Sequence, residues 1–194
     1  MKKKIQKIKE NITSIEYKKL MTFTRGDETL RENTKMNLLR TFTILFYTGL
    51  RLNELKELRI KHIQELLDNG VLKIELSKTS SERKLYLSDE FRKQLVKLFD
   101  FENEDFENRV IAKGSNKRST INNITFIQQI NKFLLKVLGD GYTSHSFRQG
   151  LLTEMGSKGI NVKIMSHFIG HKNVTTTMRY VKPTDDDILN CLIR

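Results

Sequence analysis

Between residues 71 and 87 the apolar side chains of this chain alternate instead of following a helical spacing. Val71, Lys73, Glu75 and Ser77 fall on one side and Leu72, Ile74 and Leu76 on the other, the period of two that a half-buried strand requires. A polar turn over 79–82 leads into Arg83-Lys84-Leu85-Tyr86-Leu87, so the segment reads as a hairpin. Residues 109–112 read as a third short strand. Around the hairpin the spacing is helical. Helices are expected over 14–23, 35–47 (capped by Thr34, with Leu38, Leu39, Phe42, Ile44, Leu45 and Phe46 dense enough for burial on most sides) and 51–58. Ser88 with Asp89 and Glu90 opens another, with Phe91, Leu95, Leu98 and Phe99 inward. Ser119 or Thr120 caps a helix striped by Ile124, Ile127, Ile130, Leu134 and Leu138, and further helices fit 144–158, 161–168, 173–181 and 184–193. The expected fold class is α+β, mostly helical, with a small antiparallel sheet inserted after the second helix.

The 194 residues suffice for one ordinary domain. Residues 1–12 read as a basic arm, 13–183 as the main domain and 184–194 as a terminal helix. With 38% apolar and 30% charged residues the chain reads as soluble and globular. A net charge of +12 points to a polyanionic partner, most simply nucleic acid. One cysteine, Cys191, excludes an internal disulfide and fits a reducing, cytoplasmic setting. Met1-Lys2-Lys3-Lys4 imitates the start of an export signal, but Lys7 and Lys9 interrupt any apolar stretch. The most apolar run, 38–50, is too short and too polar to span a bilayer, so no membrane is expected.

The residues that carry chemistry cluster in three blocks. Thr48-Gly49-Leu50-Arg51 is followed by Glu54; His145-Ser146-Phe147-Arg148 comes much later; and Ile169-Gly170-His171 leads to Thr176-Thr177 and Tyr180. This is an inventory of two guanidiniums, two imidazoles and a phenol. It suits attack on a phosphodiester, with cations holding the phosphate and a phenolic oxygen attacking it. A free phenol titrates at about 10, so such a nucleophile needs neighbouring cations or a base.

The three blocks, in this order and with a hairpin between the first two, resemble the catalytic domain of the tyrosine recombinases, the phage-integrase family. The resemblance covers residues 14–190. It implies the fold of that catalytic domain and site-specific recombination of double-stranded DNA through a 3′-phosphotyrosyl link and a free 5′-hydroxyl. Tyr180 corresponds to the nucleophile and Arg51 with Arg148 to the phosphate clamp. His171 corresponds to a further donor to the phosphate, and Lys78, beside Thr79 on the hairpin turn, to the general acid for the departing 5′-oxygen. His145 would accept the tyrosyl proton or orient its neighbours, and Glu54 would buttress Arg51 or His145. No metal and no other cofactor is implied, because the arginines supply the charge. The resemblance further implies a homo-oligomer on DNA, a dimer at each site and a tetramer when two sites pair, with the helix at 184–194 docking on a neighbouring protomer.

The family usually carries a separate N-terminal DNA-binding domain, for which this length has no room. The chain therefore corresponds to the catalytic domain or to short members such as the fimbrial-inversion recombinases. Gln149 departs from the basic or aromatic residue common there. Lys113, Lys117, Arg118, Lys172 and Arg179 are candidate DNA contacts, joined by the arm lysines. His167 and His171 are not read as a metal pair, since Gly170 interrupts them and no carboxylate or cysteine lies between. His62 reads as a loop or surface histidine. Taken alone, Arg51 and Glu54 would be a surface ion pair of little energetic weight. Two alternatives stand beside recombination: type IB topoisomerase-like relaxation, and a DNA-binding regulator that kept the fold and lost turnover.

Overall fold

Thr13 and Glu16 form a reciprocal capping box: the Thr13 N–H donates to Glu16 Oε2 (2.9 Å) and Thr13 Oγ1 accepts from the Ile15 N–H (3.2 Å). The box starts α1 (Ser14–Gly26) in a computed structural model that describes residues 10–76, 81–114, 116–171 and 173–181. The arm lysines Lys2, Lys3, Lys4, Lys7 and Lys9, the hairpin tip with Lys78 and Thr79, Lys172, and the expected helix at 184–193 with Cys191 lie outside the described residues. The chain divides into two compact units, Met1–Leu151 and Leu152–Arg194.

In the first unit α1 is followed by α2 (Glu32–Thr48), α3 (Leu52–Leu55), α4 (Ile60–Asn69), β1 (Val71–Leu76), β2 (Ser81–Tyr86), α5 (Asp89–Leu98) and α6 (Asn123–Leu138), and α7 (Ser144–Ser157) begins there. The fold is mostly helical with a small antiparallel sheet, β1 pairing β2 from Val71↔Tyr86 to Leu76↔Ser81. Central to the unit, α2 packs against α1, α3 and α5. Its Phe42 lies between Phe133 of α6 (5.6 Å between centroids) and Phe147 of α7 (5.8 Å, stacked). Burying rings of this size is the main apolar contribution to a core, and here it fixes the start of α7 against α2.

Several boundaries differ from those expected, each for a local reason. α2 begins at Glu32, a turn before the Thr34 cap, because the Lys35 N–H already reaches Arg31 O (2.9 Å) and Glu32 suits the positive helix end. α3 stops at Leu55: the next bonds tighten to Glu57 N to Glu54 O and Leu58 N to Leu55 O, and Leu58 O is taken by the Val110 N–H (3.0 Å). The third strand at 109–112 reduces to a single bridge between Arg59 and Arg109, with the Asn37 side chain bonding Ala112 N and O where another strand would. β2 starts at Ser81, inside the expected turn. Asn122, not Ser119 or Thr120, caps α6, and its inner face is Phe126, Ile130, Phe133, Leu134 and Val137, leaving Ile124 67% exposed. His62 sits in the first turn of α4, a helix absent from the sequence reading. Its Nδ1 accepts the Arg59 N–H (3.1 Å), and burial pushes its imidazole below the usual histidine range.

Residues 10–12, expected as part of a loose arm, are held. The Glu10 N–H reaches Gly141 O (3.2 Å), the Ile12 N–H reaches Ser146 O (3.1 Å), and Ile12 is buried. The segment crosses α7 at Gly150, where an added Cβ would lie 2.1 Å from Ile12 O. Gly150→Ala is expected to cost at least about 1–3 kcal/mol, the usual range for overpacking, read as a lowered urea midpoint with an unchanged slope.

The second unit contains the end of α7, then α8 (Val162–Ile169) and α9 (Val174–Met178), which pack on each other. Asn161 and Asn173 cap these helices, bonding Lys163 N and Thr175 N (both 2.9 Å). Gly170 ends α8 at φ 72, where a side chain would be strained. Among the described residues no helix is long and apolar enough to cross a membrane.

Candidate active site

The C-terminal end of α2 organises the candidate residues of the first unit. A helix ends with carbonyls that lack intrahelical partners and carry partial negative charge. Gly49 turns the chain at φ 59, and its N–H still bonds Leu45 O. Two buried acceptors at this turn, Thr48 O and Gly49 O, are met by guanidiniums from distant elements. Arg148 Nη1 donates to Gly49 O (2.9 Å) from α7, 99 residues away in sequence. Arg83 Nη2 donates to Thr48 O from β2. Both arginines are 2% exposed. The box Thr48-Gly49-Leu50-Arg51 is therefore a hub that joins α2, the sheet and α7.

Arg51 leaves this turn as the N-cap of α3. Its backbone N–H donates to Glu54 Oε2 (2.9 Å) and its Nη1 to Glu54 Oε1 (2.6 Å). The Glu54 carboxylate is 9% exposed and also accepts Arg83 Nη1 on Oε2 (3.0 Å). Glu54 thus bridges two guanidiniums, one buried and one 43% exposed. Burial pushes the Arg83 guanidinium down to about 10 and the Glu54 carboxylate opposes that, so it is a cation at neutral pH. His145 is exposed on the first turn of α7, three residues before Arg148; its N–H donates to Thr143 Oγ1 (3.3 Å).

In the second unit His171 and Tyr180 both attach to Thr177, which is fully buried. His171 Nδ1 is 2.8 Å from Thr177 Oγ1, and the Tyr180 N–H donates to Thr177 O (3.0 Å). The His171 imidazole and the Tyr180 backbone are thus tied to one threonine on the short α9. Gly156, at the end of α7, lets the Tyr180 backbone come close: a Cβ there would be 2.9 Å from Tyr180 O. Arg83 was not singled out in the sequence, and Thr177 stood there only as a member of the C-terminal block, without a role of its own. Arg83 shares a strand face with Leu85, so strand period alone places it inward; for Thr177 the motif gave the position but not the bond to His171.

Of the candidate DNA contacts, Lys113, Lys117 and Arg179 are exposed. Arg118 is exposed too, but its Nη2 is tied to Asp105 (2.6 Å), and that contact holds the Asp105 carboxyl below its usual range. Arg109, Lys113, Gly114, Asn116, Arg118, Ser119 and Thr120 line an open concavity of 770 Å³. Three of these seven residues are cationic, which suits an anionic ligand. Among the described residues no three metal-ligating side chains gather.

A family model described as the phage integrase family matches residues 10–187. A tyrosine recombinase of Thermosipho africanus is 26% identical over 183 residues, which are 94% of this chain and 60% of that protein. The tyrosine recombinase XerA of Pyrococcus horikoshii is 25% identical over 175 residues, covering 90% of this chain and 57% of its own length. The chain thus spans about 60% of the length of the curated relatives it matches. Among solved structures, a XerA recombinase aligns with a TM-score of 0.70 at 22% identity, over 95% of this chain and 64% of that one. The Tn1549 transposon integrase, solved in complex with circular intermediate DNA, aligns with a TM-score of 0.72 at 19% identity, over 94% and 66%. These structural likenesses show the fold.

Proposed function

The chain belongs to the phage integrase family, and from that membership we propose that it is a site-specific recombinase that cuts and rejoins double-stranded DNA through Tyr180. Arg51 and Arg148 hold the non-bridging oxygens of the scissile phosphate, where planar, permanently charged guanidiniums match the charge that builds in the transition state. The phenolic oxygen of Tyr180 attacks phosphorus as its proton passes to a base, for which His145 is the candidate. The bond to the 5′-oxygen breaks, and Lys78 protonates that leaving group. In the tautomer whose Nδ1 accepts from the Thr177 hydroxyl, His171 carries its proton on Nε2 and donates it to the phosphate. One phosphoester replaces another, so rejoining needs no further energy source and no cofactor. On DNA the protein works as a homo-oligomer, a dimer at each site and a tetramer across two paired sites, in the cytoplasm. The observation that carries this reading is the hub at Thr48-Gly49, which brings Arg148 of α7, 99 residues from Gly49 in sequence, to the turn that presents Arg51.

The test is incubation with nicked duplex DNA from the locus that flanks its gene, followed by denaturing electrophoresis. The expected product is a covalent protein–DNA band with a free 5′-hydroxyl on the released strand; absence of any band at saturating protein overturns the reading. The basic concavity binds the DNA backbone, and Lys113, Lys117, Arg118, Lys172 and Arg179 are the candidate contacts. Each phosphate contact releases counterions, so the double substitution Lys113→Ala, Lys117→Ala should reduce the slope of log affinity against log salt by about 2. Binding titrations across salt check this, and an unchanged slope removes both lysines from the interface.

A further inference from the structure

Arg83 is a cation that cannot reach DNA. It is 2% exposed, lies on β2, and donates to the internal acceptors Glu54 Oε2 (3.0 Å) and Thr48 O. Both acceptors belong to the hub that presents Arg51. Glu54 has two oxygens, and they are used differently. Oε1 takes Arg51 Nη1 (2.6 Å), whereas Oε2 is shared by the Arg51 backbone N–H (2.9 Å) and Arg83 (3.0 Å). Because Oε2 is occupied, the contact between the Arg51 guanidinium and Glu54 runs through a single nitrogen. A guanidinium has five N–H donors, and a carboxylate facing it alone tends to take two in a parallel fork. A forked Arg51–Glu54 pair would withdraw one edge of Arg51 from any phosphate.

We propose that Arg83 is a positioning residue: by occupying Glu54 Oε2 and anchoring β2 to the end of α2, it limits Glu54 to a one-point hold on Arg51 and leaves the rest of that guanidinium facing outward for the scissile phosphate. This rests on the reading that Arg51 binds that phosphate. Arg83 touches no reacting atom; it acts through Glu54.

The experiment is a double-mutant cycle read by single-turnover cleavage of nicked duplex DNA, with DNA affinity measured beside it. Arg83→Met should lower the cleavage rate constant about 10- to 100-fold while affinity stays within about threefold, the pattern of a lost transition-state interaction. Arg83→Lys keeps a cation but cannot span both acceptors, and should recover part of the rate. In an Arg51→Ala background Arg83→Met should cost less than about twofold more, because residues that act through one another are not additive. A parental rate in Arg83→Met, or the same factor lost in both backgrounds, overturns the proposal; the second outcome would make Arg83 ordinary scaffolding. If Arg83→Met does not fold, the Arg83→Lys cycle decides by the same criterion. A parent protein that forms no adduct counts against the reaction assigned above, not against the Arg83 contact. In that event a crystal structure of Arg83→Met decides: with Oε2 vacated, Arg51 and Glu54 should close into a two-point fork, and a retained single contact overturns the proposal.

Discussion

Tyr180→Phe should bind DNA with the affinity of the parent and form no covalent adduct at any time or protein concentration. The substitution removes one oxygen. The Tyr180 backbone bond to Thr177 O and the close approach to Gly156 do not involve the side chain, so the local fold should be kept. The chemistry, by contrast, has no substitute: without the phenolic oxygen there is no nucleophile, and water does not produce a protein-linked product. The measurements are the denaturing gel for the adduct and a filter or mobility assay for binding. An adduct that persists in Tyr180→Phe identifies another residue as the attacking group. Loss of binding together with loss of adduct would mean the side chain belongs to the DNA surface instead.

The second large effect separates the two arginines. Arg51→Ala and Arg148→Ala should each slow cleavage about 100- to 1000-fold, the range seen when one preorganised donor to a developing anion is removed. Their effects on stability should differ. Arg148 is buried and satisfies Gly49 O at a helix end, so its removal should also lower unfolding free energy by about 1–3 kcal/mol, as a buried acceptor loses its donor. Arg51 is 43% exposed, and Glu54 keeps Arg83 when Arg51 is gone. Its removal should change stability by no more than about 0.5–1 kcal/mol, in the range of exposed ion pairs. Denaturant titrations beside cleavage rates check both. Equal destabilisation would contradict the hub, and a cleavage loss explained wholly by weaker binding would contradict the clamp.

The parts of this fold legible in sequence are those with a clean period. The hairpin stood out because Leu72 and Ile74 alternate with Lys73 and Glu75, and both leucine-side residues are buried. The helix of Phe91, Leu95 and Leu98 stood out through its Ser88 cap. α4 was missed although Ile60, Ile63, Leu66 and Leu67 have helical spacing, because they follow directly on the run that ends at Leu58 and the break between two helices at Arg59 has no glycine or proline to mark it. The third strand failed for the opposite reason: a short apolar run looks like a strand whether it pairs with a backbone or, as here, with the Asn37 side chain.

For the site, motif order singled out Arg51, Glu54, His145, Arg148, His171 and Tyr180 as candidates, but not the hydrogen bonds that hold Arg51 and Arg148 at one turn. The hydrogen bonds at the hub join α2 to β2 and α7 across long stretches of chain, and no local pattern encodes such pairs. Arg83 shows the difficulty best. Strand period turns it inward beside Leu85, but a buried cation needs partners, and the two that serve it, Glu54 and the Thr48 carbonyl, lie far off in sequence.

Mass spectrometry of the covalent adduct tests the central claim most directly. After trapping on nicked duplex, nuclease trimming and proteolysis, the peptide that contains Tyr180 should carry a nucleotide through its 3′-phosphate, with the modification on the tyrosine oxygen. A nucleotide found on any other side chain, or a 5′-phosphate linkage, would contradict the account.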